Sequence, residues 1–181
     1  DAPAPKGKLA TVTSFFDANL CHDLISGKSV AGILHQLNKT PVDWHSKSQS
    51  TVETATFGLE HVAQEHALSK SLICALHFDT SGCPLMANNG AGDNESVINS
   101  AAIPHSKMHE RWVALSCHRV QHAVAAGIVN VHHIAGKKNP ADISSKHWDL
   151  PSAWNAMKPL LFRNWKLMAP NAEEAKEGSN I

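Results

Sequence analysis

The chain lacks the features that mark several broad protein classes. None of its 181 residues belongs to an apolar run of about 18, so no membrane-spanning helix is expected. No secretory signal pattern opens it, and it begins at Asp1 rather than Met, so it reads as a processed product or a piece of something longer. Cysteine is scarce. Cys21, Cys74, Cys83 and Cys117 form no CxxC pair and no spacing of a small secreted framework. Buried or free thiols are expected, and with them an intracellular, reducing compartment. Positive charge is not in excess: Lys and Arg total 16, as do Asp and Glu. That balance counts against a free-standing nucleic-acid binder. Repeats and low-complexity tracts are also missing.

What remains suits one folded domain with a short extension, since 43% of the residues are hydrophobic and 181 residues can bury a core. Thirteen histidines mean that mild acid makes the chain cationic. Residues 1–8 read as a linker. Residues 9–16, rich in Val, Thr and Phe, predict a strand, and 29–37 and 41–46 predict two more, joined by a turn around Asn38-Lys-Thr40. Connections this short predict an antiparallel meander. Ser50-Thr-Val-Glu53 fits a capping box from which a helix runs towards Leu76. Glu60 falls beside Thr56, Ala63 and Ala67, small residues that let the helix lie close to a sheet with Glu60 at the rim.

The next segment is weaker. Only Leu85-Met-Ala87 has strand character, and Asn88-Asn-Gly-Ala-Gly92 predicts a frayed or displaced end. A short helix over 95–101 follows, then a long one over 105–126 through Met108, Trp112, Leu115, Val120 and Val124, stopped by Gly127. A fifth strand is expected over 128–135. Asn139 caps a helix with Pro140 at its first position, which places Asp142 in the first turn. Residues 148–162 predict a helix interrupted by Pro151 and Pro159. The expected architecture is α/β, a five-stranded mixed sheet of three antiparallel strands and two more, flanked by helices. It divides into linker 1–8, domain 9–147, helical extension 148–168 and polar tail 169–181.

Four acids fall at telling places in this order: Asp17 at the end of the first strand, Glu60 in the first helix, Asp93 after the fourth strand and Asp142 in a late helix. Singly, each has an ordinary explanation. Asp17 could cap a loop, Glu60 could be solvated, Asp93 could make a turn, and Asp142 could favour its helix N-terminus. Together they form the oxygen-donor set that Mg²⁺ or Mn²⁺ prefers. Two such ions about 4 Å apart activate water and stabilise the added charge in phosphodiester hydrolysis. In that arrangement Asp17 bridges the ions, Glu60 and Asp93 hold the one on the leaving-group side, and Asp142 holds the one that prepares the water.

The flanking residues carry a resemblance. Asn139-Pro-Ala-Asp-Ile-Ser-Ser-Lys146 resembles the N/E-x-A-D-I-x-T/S-K signature that ends the RNase H domain of copia-type LTR retrotransposon polyproteins. Trp44-His-Ser-Lys-Ser-Gln-Ser-Thr-Val-Glu53 is similar to that family's W-x-S-K-x-Q-x-x-V entry to the first helix, and Gly92-Asp-Asn-Glu-Ser-Val97 to its D-N-x-S element. Ser116-Cys-His-Arg-Val120 resembles its Y-H-x-x-R helix, and Phe15-Phe-Asp-Ala-Asn19 its opening D-A-D/N. The resemblance covers residues 10–162. It implies an RNase H-like fold, an endonuclease that cleaves RNA in RNA–DNA hybrids with two Mg²⁺ or Mn²⁺ ions, and a catalytic set of Asp17, Glu60, Asp93 and Asp142. The loop at Gly136-Lys-Lys138 departs from the pattern of many ribonucleases H, having no histidine before the last acid; His132 and His133 lie on the preceding strand instead.

Other signals have plainer readings. His118 and His122 are four apart on a helix but lack an evident third ligand. Lys107, Arg111 and Arg119 make a thin patch for a hybrid backbone. Trp154, Leu160, Leu161, Phe162 and Trp165 form an apolar cluster that packs on this domain or, through Trp154, Leu161, Phe162 and Trp165, on a partner. A second reading therefore stands beside the enzyme: a repurposed RNase H-like fold serving as a structural subunit, bound to a protein partner through that cluster.

Overall fold

Alternating burial marks β1 (Ala10–Asn19), with Val12, Ser14, Phe16 and Ala18 on its covered face. β2 (Val30–Leu37) and β3 (Thr40–Ser48) continue as the antiparallel meander, and Asn38 turns between them at φ +58°. Asparagine tolerates that left-handed conformation better than most side chains. Helix α1 (Thr56–Thr80) crosses the sheet, and β4 (Leu85–Gly92) pairs parallel with β1. Then come α2 (Glu95–Ala102), α3 (Ala114–Ala125) and β5 (Asn130–His133), the last parallel with β4. A 3₁₀ turn over Gly136–Lys138, a one-turn helix α4 (Asp142–Ser145) and α5 (Leu150–Leu161) follow. This computed structural model describes residues 9–50, 55–83, 85–103 and 113–162.

The sheet order is β3-β2-β1-β4-β5, the mixed sheet expected from the sequence. Ala63 and Ala67 of α1 are fully buried against the layer of Phe16, Ile33 and Leu59, so small side chains do bring the helix close to the central strands. No helix among the described residues is long and apolar enough to cross a membrane.

Several expectations need correction. β4 is intact to Gly92, with parallel partners on both sides, although Asn88-Asn-Gly-Ala-Gly92 lacks apolar bulk. Its neighbours supply that bulk. A Cβ on Gly90 would meet Leu68 Cδ2 at 2.8 Å, and one on Gly92 would strike the Phe16 ring. Glycines are needed there because the large side chains of β1 and α1 already fill the space above the strand. Leu115 points outward at 66% exposure, while Cys117 and Val120 carry the buried face of α3. β5 is shorter than expected, and α5 runs unbroken. Pro151 sits in the first turn of α5, where a missing N–H costs nothing, and Asp149 caps that helix by accepting from Ser152 N at 3.2 Å. Asn139 does not cap α4 directly; its Oδ1 accepts from Ala141 N at 3.1 Å, shaping the turn before the helix. The capping-box residues 51–53, the first part of the long helix with Lys107, Met108, Arg111 and Trp112, and Trp165 with the linker and tail lie outside the described residues.

Candidate metal centre

Asp17 is the eighth residue of β1 and pairs with Gly32 of β2. Its side chain lies on the sheet face opposite Phe16 and Ala18, because successive strand residues alternate. Helix α4 lies on that same face, and Gly32 is what admits it. A Cβ at Gly32 would meet Ala141 O at 2.6 Å, Ser144 Oγ at 2.7 Å and Ser145 N at 2.8 Å. With no side chain in the way, α4 rests on β2 and sets Ser145 Oγ to donate a short hydrogen bond to Asp17 Oδ2. Asn139 secures the approach, its Nδ2 donating to Phe16 O at 2.9 Å.

Glu60 arrives from the other side of the sheet on α1. Its Oε1 accepts from Ala18 N at 3.3 Å, so the helix residue is tied to the backbone one step beyond Asp17. It lies at the sheet's end as expected, but buried, at 6% exposure, rather than solvated. Asp93 follows the last residue of β4, and His133 Nε2 on neighbouring β5 lies 3.1 Å from its backbone oxygen. Strand ends and one helix thus bring Asp17, Glu60 and Asp93 together, with a carboxylate oxygen of each within 4.8 Å of the others.

Asp142 lies beside this trio rather than in it. Its Oδ2 is 2.7 Å from Lys146 Nζ, and the same ammonium lies 3.7 Å from Asp17 Oδ2. Asp142 O accepts from Trp148 Nε1 at 2.9 Å, which fixes the end of the turn. Lys146 and Ser145 are the site residues that sequence reasoning passed over. Both stood in the quoted signature, and the i,i+4 spacing of Asp142 and Lys146 was the available signal.

The electrostatics follow from crowding. Burial pushes the Glu60 carboxyl up to about 9, and the neighbouring charges of Asp17 and Asp93 add to the effect. Asp17 is raised mainly by burial and further by Asp142, while the Ser145 hydrogen bond and Lys146 pull the other way. Burial alone would lower the Lys146 ammonium, but its bond to Asp142 and the charge of Asp17 raise it overall. Without a further cation the site therefore favours a protonated Glu60. Glu60 Oε2 is buried with no hydrogen-bond partner, which is costly unless something else satisfies it. Hard carboxylate oxygens and an orphaned buried acceptor fit a divalent cation such as Mg²⁺ or Mn²⁺.

The other candidates do not join this centre. His118 and His122 are exposed on α3, and no third ligand gathers with them among the described residues. Arg119 is engaged by Glu65 at 3.0 Å.

No protein-family profile matches this chain, and no curated protein sequence does. Solved structures do share its fold. The N-terminal RNase H domain of Rv2228c from Mycobacterium tuberculosis aligns with a TM-score of 0.57 at 12% identity, over 82% of this chain and 96% of that one. RNase H1 from the halophilic archaeon Halobacterium salinarum gives 0.53 at 14% identity, over 71% and 89%. LC11-RNase H1 in complex with an RNA/DNA hybrid gives 0.50 at 16% identity, over 72% and 88%. The chain has the RNase H-like fold.

Proposed function

We propose that this protein is a metal-dependent endoribonuclease that cleaves the RNA strand of RNA–DNA hybrids, and that it works as the RNase H module of a copia-type retrotransposon polyprotein. The observation that carries the reading is the convergence of Asp17, Glu60 and Asp93, from two strand ends and a helix, with their carboxylate oxygens within 4.8 Å. Convergence of three acids from residues 76 positions apart leaves like charges in close contact, an arrangement that costs stability unless a cation uses it. The LC11-RNase H1 structure, of the same fold, holds an RNA/DNA hybrid, which supports a similar partner here. The polyprotein context rests on the motif resemblance alone.

Asp17, Glu60 and Asp93 would hold divalent metal, with Asp142 beside them paired to Lys146. Bound there, Mg²⁺ or Mn²⁺ supplies Lewis acidity towards the phosphoryl oxygens and lowers the pKa of a bound water. The protein's own groups prepare that chemistry. Ser145 orients Asp17 through its hydroxyl, Ala18 N–H holds Glu60, and Asn139 fixes the loop that carries Asp142. Taking up a cation requires Glu60 to lose its proton, so binding should release protons below about pH 9.

The test is cleavage of a labelled RNA–DNA hybrid with Mg²⁺ or Mn²⁺ and with EDTA. Metal-dependent cleavage of the RNA strand, abolished by Asp17→Asn, is the expected result. Equal activity in Asp17→Asn would sink the site. A second reading, an RNase H-like structural subunit without catalysis, draws on one observation: Leu150, Trp154, Leu161 and Phe162 of the C-terminal helix region stand 45–83% exposed. Absence of cleavage from folded protein would favour it.

A further inference from the structure

We propose that Lys146 acts as a built-in cation on the Asp17–Asp142 side of the site, so that the protein takes up one divalent ion where its four acids alone would hold two. This rests on the metal-centre reading above.

The oxygens are already divided. Asp17 Oδ2 accepts from the Ser145 hydroxyl and lies 3.7 Å from Lys146 Nζ, so it carries one hydrogen bond and faces one ammonium. Asp142 Oδ2 is 2.7 Å from the same ammonium. To bridge two ions through separate oxygens, Asp17 would have to offer Oδ2 to one of them, and Oδ2 faces a positive charge. The acids left to a metal are Glu60 and Asp93 with the remaining oxygen of Asp17, the residues that gather within 4.8 Å.

The ammonium is held there by its own backbone. Lys146 follows Asp142 by four residues and is the C-cap of α4, its N–H bonded to Asp142 O at 3.1 Å. The stem therefore starts one turn beyond Asp142 and returns along the same face. An ammonium is a compact point charge with three donors, suited to sit between two carboxylates as a small cation does. A dication placed between those same oxygens would meet it at repulsive range, so entry requires Lys146 to swing out. Asp142 Oδ1, buried without a hydrogen-bond partner, is the acceptor that a second ion gains once the ammonium is removed.

The measurement is the number of ions bound per chain, by loss of the free Mn²⁺ electron paramagnetic resonance signal and by Mg²⁺ calorimetry. Sites removed by Glu60→Gln or Asp142→Asn are those counted, which sets aside ions held by surface histidines. The wild type should bind one ion, Lys146→Gln two, and Lys146→Arg one, because Arg restores the charge. Lys146→Met keeps the aliphatic stem and gives the same reading if the Gln variant fails to fold. Two ions in the wild type, one in both uncharged variants, or two in Lys146→Arg would overturn the role of Lys146 and leave the metal centre standing. No ion that Glu60→Gln removes, in any variant, would overturn the metal centre and this inference together.

Discussion

Gly32→Ala tests the idea that one missing side chain builds the site. The added methyl would lie 2.6 Å from Ala141 O, and an ordinary contact begins near 3.4 Å, so the α4 backbone must withdraw by about 0.8 Å. The two nearest backbone atoms, Ala141 O and Ser145 N, cannot rotate away as a flexible side chain could. Overpacking of this kind costs about 1–3 kcal/mol. The withdrawal also stretches the Ser145–Asp17 hydrogen bond, and a bond to a charged group contributes about 1.5–3 kcal/mol. Since the two effects overlap, about 2–4 kcal/mol is expected in all. Urea unfolding followed by tryptophan fluorescence and circular dichroism reads that loss. At about 2–4 °C per kcal/mol for a chain of this size, the melting temperature should fall by roughly 4–16 °C. Gly127→Ala is the control. Its Cβ meets nothing within 4 Å, but φ is +69°, so it destabilises through backbone strain, by about 1 kcal/mol, without touching the acids. Gly32→Ala should weaken divalent-ion binding and Gly127→Ala should not. An unchanged unfolding midpoint in Gly32→Ala, or equal metal affinity in the two variants, would refute the reasoning.

Three further outcomes are expected. In metal-free protein, Glu60 titrates near 9 against 4.5 for an ordinary glutamate, so its contribution is full below about pH 4.5 and is lost as pH rises towards 9; Glu60→Gln should flatten that alkaline decline, which approaches about 1.4 kcal/mol per pH unit for one proton, and an unchanged slope counts against the buried carboxyl. His61 has the opposite sign: burial holds it near 4, below the ordinary 6.5, so stability present above pH 6.5 drains away as pH falls towards 4, and His61→Gln should make the acid limb of a urea-midpoint profile shallower. Val120→Ala should cost about 1–3 kcal/mol and Leu115→Ala less than about 0.5, since only Val120 is buried; equal losses in chemical denaturation would contradict the helix's orientation.

Much of the architecture was legible because it is local. Strand-forming runs joined by short connections mark β1 to β3, Asn38 and Gly127 supply left-handed turns, and the small residues Ala63 and Ala67 mark the face of α1 that meets the sheet. The identity and order of Asp17, Glu60, Asp93 and Asp142 were also readable, since each stands at a strand end or in a helix that the sequence itself announces. The misreadings concern what distant segments contribute. β4 looked defective because its own residues are small, and only the packing of Phe16 and Leu68 over Gly90 and Gly92 shows that smallness is required. Leu115 matched the helical period, yet a period cannot say which of two apolar stripes finds a partner.

The chain by itself therefore determined its elements, their order and the acids available for chemistry, because hydrogen bonding along a helix and alternation along a strand depend on near neighbours. The tertiary structure decided how those acids are divided: three gathered, the fourth joined to Asp17 through Lys146, and Glu60 buried deeply enough to keep its proton. Those outcomes turn largely on desolvation and on hydrogen bonds and charges between residues distant in the chain, such as Ala18 with Glu60, 42 positions apart, and Asp17 with Ser145, 128 apart. Such energies depend on distance in space, which folding sets and sequence spacing does not.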